Sequence, residues 1–66
     1  MKKIEVQTYC GDFEFDSIRE AQRFAKDLSR DKEFKGTGVG VSVGHYYRYI
    51  YDNGRAVPEC KWNRFI

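Results

Sequence analysis

Long apolar runs are missing from this 66-residue chain. No stretch approaches the ~18 consecutive apolar residues of a membrane span. The opening MKKIEVQTY is charged and alternating, without the apolar centre of a secretory leader. Cysteine is scarce: only Cys10 and Cys60, far apart in the chain. A secreted mini-protein stapled by disulfides would carry more, so both are read as reduced thiols and a cytoplasmic location is expected. Histidine occurs once, at His45, and no H-E-x-x-H, G-x-S-x-G or paired-carboxylate motif accompanies it. Cys10, Cys60 and His45 lack the close C-x-x-C pairs of structural zinc sites. The expectation is therefore a protein that is not an enzyme and carries no cofactor or metal. A dominant charge sign is missing too. Twelve basic residues against ten acidic ones leave +2, less than a nonspecific duplex binder usually carries. Repeats, linkers and low-complexity tracts are absent, and the length allows one domain, 1–66, burying only about 60% of the surface its unfolded chain exposes.

Aromatic residues are what the chain has in excess: five Phe, five Tyr and one Trp. Large rings supply much buried area per residue in a small core, and they also serve as stacking or interface groups. The clearest element is DSIREAQRFAKDLSR, Asp16 to Arg30. Ile18, Ala21, Phe24, Ala25 and Leu28 recur at three- and four-residue steps and form one helical face. Ser17 and Glu20 have the S-x-x-E spacing of a capping box. Arg19, Arg23, Lys26 and Arg30 fall within an arc of roughly 60° on the other side.

Around that helix the chain alternates with period two. Lys2 to Tyr9 reads as a strand with Ile4, Val6 and Thr8 on its buried face. Cys10-Gly11-Asp12 is a turn, and Phe13-Glu14-Phe15 returns with both rings inward. After the helix, Asp31 to Phe34 reads as a loose last turn stopped by Gly36. In TGVGVSVG the valines 39, 41 and 43 share one face. Gly38, Gly40, Ser42 and Gly44 share the other, so something lies close against it, the helix itself or a partner's backbone. Gly44-His45 turns into a strand Tyr46 to Tyr51, and Asp52-Asn53-Gly54 is the strongest hairpin signal in the chain. Arg55 to Lys61 closes the sheet, with Pro58 marking an edge or an end. The apolar residues of Trp62 to Ile66 are free to fold back on the core. The expected class is α+β: β-β-α-β-β-β, an antiparallel sheet of about five strands with one amphipathic helix on one face. GTGVGVSVG tempts a phosphate-loop reading, but such loops follow a strand and open a helix, and this one does the reverse.

Two surfaces are candidates for function. The basic ridge Arg19, Arg23, Lys26 and Arg30 is either a solvated face paired with Glu20 and Asp27, or a contact for phosphates or acidic protein. In Tyr46 to Tyr51, strict alternation sends either Tyr47, Tyr49 and Tyr51 or Tyr46, Arg48 and Ile50 away from the helix. Tyr and Arg are favoured at interface hot spots, and rings also stack bases.

In FEFDSIREAQRFAKDL and GVGVSVGHYYRYIYDNGRAVPECKW, with its aromatic strand, D-N-G turn and C-K-W, the chain resembles small phage-encoded anti-CRISPR proteins of the β-β-α-β-β-β type that inhibit type I surveillance complexes. The resemblance implies a phage or mobile-element inhibitor that binds a host ribonucleoprotein, a CRISPR effector, and blocks or perturbs its nucleic-acid binding. The basic helix argues against simple DNA mimicry. Tyr47, Arg48 and Tyr49 are then the central partner-binding candidates, with the helix ridge second. The alternatives are a free nucleic-acid-binding module using the same rings and cations, with direct nucleic-acid contact, and a homodimeric structural protein using the glycine face or an edge strand. No membrane partner is expected, and oligomeric state and strand order stay open.

Overall fold

The computed structural model describes residues 3–65, so Lys2 of the first expected strand and Ile66 of the tail lie outside it. Strand β1 (Ile4–Thr8) turns into β2 (Gly11–Phe15), the helix α1 (Ile18–Leu28) follows, and β3 (Val39–Val43), β4 (Tyr46–Asp52) and β5 (Arg55–Ala56) complete one antiparallel sheet. The strand order is β2-β1-β3-β4-β5. The expected α+β class and element order are both present. Because β2 and β3 flank β1, the chain leaves an edge strand, crosses the sheet as α1 and returns on the far side of β1.

The valine pattern drives this packing. Val6 lies opposite Val41, and Ile4 opposite Val43, so the apolar sets of β1 and β3 share a face. Val6, Val39 and Val41 are fully buried there, each stabilising by roughly 1.5–3 kcal/mol. The helix meets them through Ala21 and Ala25, also fully buried. Phe24 fills the gap over β2, its ring centroid 5.1 Å from those of both Phe13 and Phe15. Phe13 stays partly exposed at the sheet edge, so only Phe15 of the two expected inward rings is well covered.

Local chemistry explains most boundaries and corrects several. Ser17 occupies the N-cap position, but its side chain makes no capping bond, so the expected capping box does not close. The helix stops at Leu28, two residues before Arg30, because Arg30 N–H donates to Asp27 O and tightens the chain into a turn. Lys32–Phe34 is a separate 3-10 turn rather than a frayed helix end, opened by the Asp31 carboxylate accepting from Glu33 N–H. Gly36 adopts φ +81° and donates its N–H to Asp52 Oδ1 at 2.8 Å. Asn53 and Gly54 both have positive φ, 54° and 77°, the backbone that the primed hairpin turn requires. Strand β5 ends at Ala56, well before the expected Lys61, where Pro58 starts a 3-10 segment, Glu59–Arg64. That segment folds back on the sheet face opposite α1. Trp62 Nε1–H donates to Val57 O at 2.9 Å, and the Phe65 ring lies against Gly38.

Candidate functional site

Arg19, Arg23 and Lys26 project from α1 on the side away from Ala21 and Ala25, and all are exposed. Arg30 follows in the turn after the helix, and its side chain lies along the β4–β5 turn. A Cβ at Gly54 would meet Arg30 Cγ and Nε at 2.7 Å. Among the described residues the one ion pair is Lys3 Nζ to Glu14 Oε1, 2.6 Å, on the opposite side of the sheet. Glu20 and Asp27 stand beside the ridge without forming an ion pair with it. On the helix, Arg19, Arg23 and Lys26 stand three or four residues apart, and such like-charge neighbours cost a few tenths of a kcal/mol each, while Arg30 lies beyond the helix end.

The tyrosine strand is arranged differently from either strict alternation. Val41 pairs with Tyr49 and Ser42 with Tyr47, which leaves Arg48 unpaired in a β-bulge. One inserted residue reverses the parity of everything before it. Tyr49 and Tyr51 thus face the helix, their rings stacked with centroids 6.3 Å apart. Tyr51 is buried, and its hydroxyl accepts from Gln22 Nε2 at 3.4 Å. Tyr47 turns to the outer face, where its hydroxyl donates to Gln7 Oε1 at 2.6 Å. Tyr47 and Tyr49 are both half-buried on opposite faces, and only Arg48 of the three is exposed. The structure does not bring Tyr47, Arg48 and Tyr49 together as one contact surface.

The outer face also resolves the glycines. The helix lies on the other side, and no partner backbone is needed. A Cβ at Gly40 would come within 2.5 Å of Tyr47 Cε1, and one at Gly38 within 2.5 Å of Phe65 Cδ1. Two rings of the same chain occupy the space that the missing side chains leave. Between them and the β1–β2 hairpin runs a cleft of about 250 Å³. Gly38, Gly40 and Ile50 form its base, Tyr47 and Phe65 its aromatic walls, and Tyr9, Asp12 and Thr37 its rim. Ile50 is only 3% exposed although it faces away from the helix, so this outer layer is a second apolar centre. Sequence reasoning missed Gln7, Asp12 and Phe65 as members of one site. The alternating glycines were the signal that the face is closely covered, but nothing in their spacing names the rings that cover it.

His45 sits exposed in the β3–β4 turn, and Cys10 and Cys60 are exposed free thiols. No three His, Cys, Asp or Glu side chains among the described residues are grouped as metal ligands would be. No helix among them is long and apolar enough to cross a membrane. No family model, curated protein or solved structure matches the chain.

Proposed function

We propose that this chain is a non-catalytic binding protein whose contact surface is the ridge of Arg19, Arg23, Lys26 and Arg30. Following the resemblance, its role is that of a phage or mobile-element inhibitor in the host cytosol. It binds a CRISPR effector complex and blocks or perturbs that complex's nucleic-acid binding. The observation that carries this reading is a row of exposed cations, Arg19, Arg23 and Lys26 along the helix and Arg30 just beyond its end, none of them in an ion pair among the described residues. Phosphates of a bound guide or an acidic protein surface would supply the missing charge, and occupation of that surface excludes the target strand by bulk. Arg48, exposed at the bulge, is a further candidate contact, whereas Tyr47 and Tyr49 are half-buried on opposite faces of the sheet.

The test is the double variant Arg19→Glu/Arg23→Glu, folded as judged by circular dichroism, assayed for inhibition of target-DNA binding by an isolated type I effector. Loss of inhibition by about tenfold or more is expected for two reversed contact charges. Full inhibition by the variant would remove the ridge from the interface. The same variant separates the second reading, a free nucleic-acid-binding module, which the same ridge favours. That module holds bare oligonucleotides with an affinity that falls steeply with salt, and reversing two phosphate contacts lowers the log–log slope by about two.

A further inference from the structure

We infer that the outer-face cleft receives an arginine side chain from a protein partner. The inference stands independently of the helix ridge, which lies on the other side of the sheet.

Among the described residues, the side-chain polar groups that line the cleft are engaged within the chain except for the Asp12 carboxylate and the Tyr9 hydroxyl. The Gln7 amide is used at both ends, accepting from the Tyr47 hydroxyl and donating from Nε2 to Ser42 Oγ at 3.3 Å. The Thr8 hydroxyl donates to Gly11 O and accepts from Cys10 N–H. The Thr37 hydroxyl donates to Phe34 O at 2.7 Å. Asp12 is the one charged side chain that lines the cleft, and its carboxylate takes no ion pair among the described residues. What the cleft offers is thus an ionised acceptor beside the rings of Tyr47 and Phe65, with Tyr9, whose ring packs 5.3 Å from that of Phe34, at the rim. Ring faces carry negative potential, and a cation with an apolar stem satisfies both features.

Charge and size narrow the choice. On the same face of the β1–β2 pair, Glu5 lies directly opposite Glu14 and Gln7 opposite Asp12. Lys3 compensates Glu14 alone. The strands beside the cleft carry Glu5, Asp12 and Glu14 against Lys3, while Lys61 and Arg64 belong to the segment that covers the same face, so the preference for a cation rests on Asp12, the one charged group that lines the cleft. A volume of about 250 Å³ is below that of ordinary small-molecule pockets, which run roughly 300–1,000 Å³, and suits a single side chain. Arginine fits better than lysine. Its planar guanidinium stacks on rings and forks onto a carboxylate, whereas an ammonium is a strongly hydrated point charge.

The experiment is a titration of the isotope-labelled 66-residue chain with N-acetyl-arginine amide, followed by amide chemical shifts. The lysine, citrulline and glutamate analogues run in parallel. Saturable shifts at Gly38, Gly40, Tyr47 and Phe65 are expected with the arginine compound. Citrulline, which keeps the shape without the charge, binds about tenfold or more weakly, and lysine also binds less well. Asp12→Asn lowers the arginine affinity to the citrulline level, while Arg23→Glu on the ridge leaves it unchanged, so failure here is distinct from failure of the ridge reading. Equal responses to arginine and citrulline on the unaltered chain overturn the inference without recourse to any variant. So does an arginine affinity indifferent to Asp12→Asn, or no response at the cleft. A lysine response equal to that of arginine overturns the choice of guanidinium.

Discussion

Ser29 is fully buried at the end of α1, and its hydroxyl works in two directions. It donates to Lys26 O at 2.8 Å and accepts from the buried Gly54 N–H at 2.9 Å, joining the helix terminus to the Asn53-Gly54 turn. Ser29→Ala removes the acceptor and leaves the Gly54 N–H without a partner in the interior. The expected cost is about 1–3 kcal/mol, read as a lower urea midpoint at unchanged slope. A loss within a few tenths would mean that water replaces the hydroxyl. Nothing in the sequence marks this residue, since a serine after a helix reads as a surface position. Its burial depends on a turn 25 residues away. Gly40 was half legible in the same way. Its smallness announced a close neighbour, but the neighbour is Tyr47, reached only through the register of β3 with β4.

At the scale of elements, periodicity was the readable quantity and interruptions of it were not. The apolar stripe of α1, the valines of β3 and the Asn-Gly turn follow from side-chain spacing and φ requirements, and all are present. The bulge at Arg48 is set by cross-strand pairing that a single strand does not encode, and it decides which tyrosines face the helix. The ridge was legible from the helical wheel, but its lack of ion pairs was not, because Glu20 and Asp27 stand at spacings that permit pairing. The arrangement has a measurable consequence. Arg23 stands three or four residues from two cations, Arg19 and Lys26, and from two carboxylates, Glu20 and Asp27, so repulsion and attraction of about 0.2–0.5 kcal/mol per pair oppose each other. Arg23→Gln should therefore change stability by less than about 0.5 kcal/mol at low ionic strength, and by less still in 1 M salt, where the screening length is about 3 Å. A larger destabilisation in urea titrations at low salt would mean that Arg23 is paired in solution, and the ridge would lose its claim as a free anionic-partner surface.

For the molecule as a whole, the decisive arrangement is three layers where the sequence promised two. The helix covers one face of the sheet, and the segment after Pro58 covers part of the other, with Phe65 over Gly38, Trp62 bonded to Val57 O and Ile50 sealed beneath. A chain of this length has little burial to spare, so the outer layer belongs to its stability as well as to the cleft. Phe65→Ala should cost about 1–3 kcal/mol, less than the 3–5 of a fully buried Phe because the ring is half-exposed. Trp62, the sole tryptophan, reports on this layer by fluorescence, while far-ultraviolet circular dichroism reports on the sheet and helix. In the unaltered chain the two transitions should coincide in urea, as one cooperative unit demands. In Phe65→Ala the fluorescence transition should come first, since the segment keeps only the Trp62 bond to hold it. Separate transitions in the unaltered chain would mean that the outer layer forms independently of the sheet. The cleft that depends on Phe65 would then be open for part of the time, and arginine binding there should weaken in proportion.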